Sequence, residues 1–301
     1  MKQVTITLAA LTTQFLERPG LTNSTIRTYE YVLIPLLQLY GRWSIEIIDR
    51  EILVEYLLGL TNVKFTTHHK HQAVITALFN FAVEQGYIKS NPISRLKRRK
   101  PDIGLGEHDS DEEVRYLTPA QLNLLYQAVK PDARLNALVH LLHTTGARIA
   151  EILALDLKDI DTVNRKFQVI GKRNKQRWCF YSETASISLN NYLKYYRHQS
   201  EFALFTAQQA FTKEISRLSY ATAYKSLVEL IDDIPELQGI RFHCLRHSFG
   251  SERVGLMGIE ELRALMGHEN IQMTLRYSKV TSRRAEEVAQ QAFNKIPNYG
   301  Q

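Results

Sequence analysis

The chain has 301 residues, of which 44% are hydrophobic and 23% are charged, a composition typical of soluble globular proteins. No apolar run is long enough to span a bilayer, and two cysteines are too few for a disulfide framework. A reduced, cytoplasmic setting is therefore expected. The formal net charge of +7 favours a polyanionic partner, with nucleic acid considered first.

Charge changes sign abruptly near residue 100. Residues 1–100 carry 13 basic and 7 acidic side chains, whereas residues 101–120 carry one basic and six acidic side chains. The second stretch also contains Pro, Gly, Asp and Ser, which favour a solvated connection. We therefore expect a domain at 1–100, a linker at 101–115 and a second domain at 116–301, with a long surface loop inside a single domain as the alternative.

Helical periodicity runs through the first domain. Val74, Leu78 and Phe81 recur at helical spacing before Gly86, a residue typical of a helix C-terminus. Capping residues open another helix earlier in the chain, and Pro35 is expected to kink it. Two shorter amphipathic stretches complete the pattern, so this domain is predicted to be all-helical.

The second domain opens with a helix capped by Thr118 and continues with a helix or helix pair over "RLNALVHLLHTTGARIAEILAL". The period then changes: "KFQVI" and "RWCFYS" are typical of strands, and "GKRNK" between them is typical of a turn. Helical patterns follow to the end of the chain. The predicted fold class is mainly α with a small β-hairpin, an α+β arrangement.

Four clusters in the second domain combine side chains suited to phosphate chemistry. Arginine gives bidentate hydrogen bonds to phosphate oxygens, and histidine transfers protons near neutral pH. Lysine can protonate a leaving oxygen, and tyrosine can act as a covalent nucleophile. Glu151 lies on the same helical face as Arg148 and can orient it. The clusters are Arg148 with Glu151, Lys172 in the hairpin, His243 with Arg246, and His268 with Tyr277.

The order and spacing of these residues resemble the tyrosine recombinase family, also called phage integrases. That family carries Arg, Lys, His-x-x-Arg, His or Trp, and Tyr in this order. It also has Gly-His about nine residues before the tyrosine, and here Gly267 and His268 precede Tyr277 at that spacing. Three positions depart from the pattern: Arg173 replaces the usual Gly, "RWCFYS" replaces the common strand, and Met266 replaces Leu.

The resemblance implies a site-specific DNA recombinase. Arg148 and Arg246 would bind the scissile phosphate, and Tyr277 would attack it to leave a 3′-phosphotyrosine and a free 5′-hydroxyl. The remaining roles implied by the family are the following: Lys172 is the general acid to the 5′ oxygen, His243 assists proton transfer and His268 supports the phosphate. Neither ATP nor a metal or other cofactor is expected.

The first domain would be the helical core-binding domain, which in this family closes a clamp on double-stranded DNA. The candidate DNA contacts share a positive charge or a position near a helix start, and most are expected to touch phosphates. They are Arg27, Tyr29, His69, Lys70, Arg95, Lys97, Arg98, Arg99 and Lys100, together with Arg173 and Lys175 of the hairpin.

The resemblance also implies a tetramer that exchanges strands between two duplexes through a Holliday junction. Apolar residues recur at helical spacing in the C-terminal segment, and the family uses such a helix to dock on the neighbouring protomer. Docking on its own domain is the alternative. Because the first helix starts within the first few residues, a simple recombinase of the Xer or transposon-resolving type is expected. The apolar residues are Ala285, Val288, Ala289, Ala292, Phe293 and Ile296.

The sequence allows three other interpretations. A zinc site could use His243, Cys244 and His247, but a helix places Cys244 off the histidine face, so no metal site is predicted. His247 is instead expected to pack or cap within the core. A type IB topoisomerase shares the recombinase chemistry, and a non-catalytic DNA-binding protein shares the fold.

Overall fold

The computed structural model describes residues 5–107, 115–171, 176–199, 202–209 and 211–278, and its chain divides into two compact units, Met1–Glu112 and Glu113–Gln301. Each unit has its own hydrophobic core. None of the helices in these ranges combines the length and the apolar character that a membrane-crossing helix requires.

The described part of the first unit is helical. Threonine or aspartate side chains cap three of its helices by accepting hydrogen bonds from backbone N–H groups. The second helix continues through Pro35. The fourth ends beside Gly86, whose φ of +75° is the left-handed conformation that favours glycine. The helices are α1 (Leu8–Glu17), α2 (Asn23–Tyr40), α3 (Arg50–Leu58) and α4 (Phe65–Glu84).

The second unit places helices around two small antiparallel sheets. Its helices are α5 (Pro119–Val129), α6 (Ala133–Thr145), α7 (Ile149–Leu153), α8 (Glu183–Asn191), α9 (Tyr220–Ile231), α10 (Phe242–Arg253), α11 (Ile259–Met266) and α12 (Gln272–Leu275). Its strands are β1 (Ile160–Asp161), β2 (Lys166–Ile170), β3 (Gln176–Phe180), β4 (Thr206–Gln208) and β5 (Ile215–Arg217).

Strands β1, β2 and β3 form one sheet in that order, and β4 pairs with β5 in the other. In the larger sheet Phe167 lies opposite Cys179, and both are buried, as is Val169. Trp178 is adjacent to Cys179 in the strand and lies on the opposite, exposed face, because successive side chains of a strand point to opposite faces. The two strands predicted from the sequence and the mainly α fold class with a small sheet are confirmed.

Helix α6 is the centre of the second unit. It buries leucines on several sides and packs against α5, α8 and α10. It ends at Gly146, whose φ of +62° is left-handed, and a Cβ there would overlap the ring of Phe249 on α10. This close approach brings the end of α6, the start of α7 and the middle of α10 together.

Candidate active site

One pocket of the second unit collects polar side chains from α7, α10 and the segment that follows α11. Five of the six predicted catalytic residues meet there. The sixth, Lys172, lies outside the described residues, as do Arg173 and Lys175. The pocket is lined by Arg148, His243, Arg246, His247, His268, Met273, Arg276 and Tyr277.

Arg246 is the most buried cation of the pocket, with only 2% of its surface exposed. Its Nη1 donates to the carbonyl of Gly146 at 2.5 Å, and its Nη2 donates to the carbonyl of Met266 at 2.6 Å. Burial lowers the pKa of Arg246 to about 10, so the group stays charged at neutral pH. A guanidinium has five N–H donors, so these two bonds leave donors for an anion in the pocket.

Glu151 joins two arginines beside the pocket. It accepts hydrogen bonds from the backbone N–H of Arg148 at 2.7 Å and from Arg148 Nη1 at 3.0 Å. It also accepts from Nη1 and Nη2 of Arg177 at 3.0 and 2.7 Å. Burial raises the pKa of Glu151, but these hydrogen bonds and the two positive charges outweigh burial and lower it overall. The carboxylate therefore stays ionised and holds Arg148 at the start of α7.

His268 and Tyr277 lie side by side, with ring planes nearly parallel and centroids 6.2 Å apart. His268 is buried, and its Nδ1 is 2.9 Å from the hydroxyl of Thr274. Burial and the nearby arginines lower the pKa of His268 to about 3, so its ring is neutral at physiological pH. Burial raises the pKa of Tyr277, although Arg246, Arg276 and Arg148 oppose that effect.

His247 makes the contact that the sequence analysis did not anticipate. Its Nδ1 lies 2.9 Å from the Tyr277 hydroxyl, and its ring is half-buried. The expectation that His247 packs or caps within the core is therefore wrong, because it lines the pocket. His243 lies one turn earlier on α10, is exposed, and meets the His247 ring edge-on with centroids 4.5 Å apart. Partial burial and the charges of Arg246, Arg148 and Arg276 lower the pKa of His243.

The chain is similar to known proteins in both sequence and fold. The sequence profile described as "Phage integrase family" matches residues 115–284. The chain belongs to the phage integrase family. Among curated relatives, the tyrosine recombinase XerC of Herpetosiphon aurantiacus is 29% identical over 91% of the chain and 90% of the relative. The tyrosine recombinase XerD of Rickettsia bellii is 29% identical over 75% of the chain and 76% of the relative.

Solved structures share the fold of this chain. The Tn1549 transposon integrase in complex with a circular intermediate DNA has a TM-score of 0.74 at 20% identity, covering 95% of this chain and 99% of that one. The XerH recombinase bound to palindromic difH substrate has a TM-score of 0.68 at 21% identity, covering 88% and 78%. The predicted family and enzyme class, a tyrosine site-specific recombinase, are confirmed.

The DNA-contact candidates of the first unit fall into two groups. Tyr29, His69 and Arg99 are half-buried and engaged within the protein: Tyr29 stacks on Phe15, and His69 Nε2 lies 2.6 Å from the carbonyl of Arg99. Arg99 also donates to Glu107 at 2.7 Å. The other candidates are exposed, namely Arg27, Lys70, Arg95, Lys97, Arg98 and Lys100.

Two residues of the site, His247 and Arg177, were missed from the sequence. A helical period places His247 one turn from His243, which was a usable signal. Arg177 offered a weaker signal, as a charged residue followed in the same strand by Trp178, Cys179 and Phe180. In the described ranges no group of three or more His, Cys, Asp or Glu side chains is placed to hold a metal ion.

Proposed function

We propose that this protein is a site-specific DNA recombinase in which Tyr277 attacks a backbone phosphate, forming a 3′-phosphotyrosyl link and releasing a 5′-hydroxyl. The observation that carries the proposal is the pocket in which the Tyr277 hydroxyl shares its surroundings with the guanidinium groups of Arg148 and Arg246. The curated relatives named tyrosine recombinase support it, as do the neighbouring folds seen with bound DNA.

In the proposed mechanism, the two arginines bind the scissile phosphate and stabilise the charge of the pentavalent transition state. Both are held before DNA arrives: Arg246 by two backbone carbonyls and Arg148 by Glu151. Preorganised donors of this kind each contribute about 10²–10³ in rate, because they need no rearrangement during the reaction. Their positive charge stabilises the developing phosphorane directly.

Proton transfers complete the proposed scheme. Lys172 protonates the departing 5′ oxygen, a role that the family resemblance implies. His243 is exposed at the rim of the pocket and assists proton transfer to or from the substrate. His268 is neutral, and with Nδ1 accepting from the Thr274 hydroxyl its Nε2–H can donate a hydrogen bond to a phosphate oxygen.

Double-stranded DNA is the proposed partner, and the exposed basic residues of the first unit are its proposed phosphate contacts. We further propose a tetramer on two duplexes, which resolves through a Holliday junction and is linked by the C-terminal helix. The residues of that helix lie outside the described ranges. The proposed setting is the cytoplasm, with the protein associated with the nucleoid.

Covalent capture tests this function and identifies the target site in the same experiment. A pool of nicked duplexes with a randomised central sequence is incubated with the full chain, and DNA that stays attached under denaturing conditions is amplified and selected again. The native chain should enrich one sequence, whereas Tyr277→Phe should retain no DNA covalently and still bind it. Failure of the native chain to form an adduct with any duplex, or an adduct formed by Tyr277→Phe, would overturn the proposal.

A type IB topoisomerase uses the same chemistry, but the curated relatives named tyrosine recombinase do not favour it. Incubation with a supercoiled plasmid that lacks the selected sequence distinguishes a recombinase from a topoisomerase. A recombinase should leave that plasmid supercoiled and exchange strands only between plasmids that carry the selected sequence. Efficient relaxation of the site-free plasmid would favour the topoisomerase.

A further inference from the structure

Helix α10 presents two histidines to the pocket, and it is the second that touches the nucleophile. We propose that His247 is a catalytic residue that receives the phenolic proton of Tyr277 during attack and returns it during resealing. The proposal deepens the proposed function and rests on it. His247 takes the proton from the nucleophile, and a separate general acid protonates the leaving group.

The geometry that carries the proposal is the hydrogen bond between the Tyr277 hydroxyl and His247 Nδ1, at 2.9 Å. Two further contacts fix the direction of the hydroxyl. The phenol ring lies against Gly250 on one turn of α10, and it stacks parallel to His268. Within the described residues, the hydrogen bond that the structure gives this hydroxyl goes to His247. A proton acceptor must lie within hydrogen-bond reach of the proton it takes, and His247 does.

Charged and titratable groups from every neighbouring element act on His247. Burial, His243 and the arginines lower the pKa of His247 to about 4, so the imidazole is neutral at physiological pH. A neutral imidazole retains one nitrogen lone pair, whereas a protonated one has none and cannot accept. The groups are His243 and Arg246 on α10, Arg148 before α7, His268 after α11, and Arg276 with Tyr277 after α12.

A bound phosphate changes this balance in the direction that catalysis needs. Its negative charge opposes the arginines that depress the pKa of His247, because an opposite charge within about 4–6 Å favours the protonated form of a base. The phenol becomes more acidic at the same time, since its oxygen begins to bond to phosphorus. The imidazole therefore gains basicity only when the substrate is present, and the free enzyme keeps it neutral.

The step balances as follows. The bond from Tyr277 Oη to phosphorus forms, the bond from phosphorus to the 5′ oxygen breaks, and the phenolic proton passes to His247 Nδ1. The 5′ oxygen takes a different proton from the general acid. In resealing, the oxygen of the 5′-hydroxyl attacks phosphorus, and its proton returns to the general acid that was deprotonated in the first step. The phosphotyrosine bond breaks, and the proton on His247 returns to the phenolate. Nothing is oxidised or reduced.

Two substrates separate this role from that of the general acid. One is the duplex selected by covalent capture, and the other is the same duplex with sulfur in place of the bridging 5′ oxygen. A thiolate leaves without protonation, so the sulfur substrate should restore the cleavage rate of Lys172→Ala, which lacks the general acid. The sulfur substrate should not restore the cleavage rate of His247→Asn, because that variant is defective in removing the proton from the nucleophile.

Asparagine is the informative replacement because its amide can still hydrogen-bond the phenol near the Nδ1 position but cannot take its proton. Single-turnover adduct formation by His247→Asn should be slower than native by about 10²-fold at pH 7. Its rate should rise with pH between 7 and 9, because the small ionised fraction of the phenol grows with pH below its raised pKa, while the native rate changes little. His140→Asn is the matched control: this histidine stacks on Tyr126 outside the pocket, and its variant should keep the native rate.

A His247→Asn rate within about threefold of native, or recovery of that variant on the sulfur substrate, would overturn the proposal and leave the recombinase function standing. Loss of the adduct in the native chain would instead reject the function. If His247→Asn fails to fold, NMR titration of His247 in the native chain tests the proposal instead. The pKa of His247 should rise when inorganic phosphate is added, and an unchanged pKa would contradict the inference.

Discussion

The phenol ring of Tyr277 lies directly against the backbone of Gly250: a Cβ atom added to this glycine would be 2.9 Å from Cε1 and Cζ of the ring. Gly250 belongs to α10 and is buried. A helix interior ordinarily disfavours glycine relative to alanine by roughly 0.5–1 kcal/mol, so a reason other than helix formation is needed for it here. The reason that the structure offers is space for the nucleophile.

Gly250→Ala should therefore slow formation of the covalent adduct about 10-fold or more, because the added methyl displaces the phenol from His247. Overpacking costs about 1–3 kcal/mol, and better helix propensity offsets part of it, so the variant should stay folded. Single-turnover cleavage of the selected duplex and circular dichroism measure the two effects. Ser251→Ala, at the next position of the same helix, is the control. A native cleavage rate in Gly250→Ala would show that the ring has room to move.

Glu151→Gln should destabilise the second unit by about 3–5 kcal/mol at pH 7, since it leaves the buried Arg177 without its ionised partner. The pKa of Glu151 is lower in the folded protein than its usual value, so its stabilisation is present above about pH 4.5 and is lost as the pH falls through the folded value. The difference between variant and native should shrink accordingly in acid.

Urea unfolding followed by Trp178 fluorescence in a Trp43→Phe background measures this effect, because these are the two tryptophans of the chain and Trp43 lies in the first unit. Glu260→Gln is the matched control: its partner Arg263 is 37% exposed, and an exposed pair contributes only about 0–1 kcal/mol. Equal losses in the two variants would contradict the structural role assigned to the buried pair.

Acid should weaken the second unit over a separate, higher pH range. The pKa values of His247 and His268 are about 4 and about 3 in the folded chain, below the usual value near 6.5. The unfolded chain therefore binds more protons below about pH 6.5, and the free energy of unfolding should decrease as the pH falls from 6.5 toward 4. In NMR spectra both imidazoles should stay neutral from pH 8 to about 5.5. A titration of either ring near pH 6.5 would contradict the burial that lowers its pKa.

Arg98 and Arg99 are adjacent in the chain and should behave differently. Arg98 is exposed, so Arg98→Ala should weaken binding to duplex DNA and reduce the log–log salt slope by about 0.9 for each phosphate that the arginine neutralises. Arg99 donates to Glu107 and to the carbonyl of Val63, so Arg99→Ala should instead lower the stability of the first unit by about 1–2 kcal/mol. Fluorescence anisotropy at several salt concentrations and urea unfolding followed at Trp43 measure the two. An unchanged salt slope in Arg98→Ala would remove it from the DNA contacts.

Local pattern was enough to predict the secondary structure that frames the site. The strands β2 and β3 could be predicted from the sequence. In β2, for example, Phe167 and Val169 alternate with polar neighbours, and that period is a property of the strand itself. The end of α4 was readable because Gly86 adopts a conformation that few other residues tolerate. The candidate catalytic residues could be identified from their order along the chain, which resembles that of a known family.

Which polar side chains touch each other was decided by the tertiary structure. Nothing in the octapeptide "HCLRHSFG" distinguishes His243 from His247 as the partner of the nucleophile, since both lie near one helical face. Which histidine contacts the nucleophile depends on where the chain places Tyr277, and that position follows from packing against Gly250 and His268. Likewise Tyr29 and Arg99 had the chemistry of DNA contacts, but packing engaged them within the first unit.

The sequence by itself therefore determined the helices of the first unit, the strands β2 and β3, the family and most of the reactive side chains, because periodicity, capping and residue order are local properties. Only the tertiary structure decided the pairing of His247 with Tyr277, the bridge from Glu151 to Arg177 and the burial that sets their pKa values. Contacts between residues distant in the chain depend on how helices pack, and the dielectric around each group depends on what packing leaves exposed.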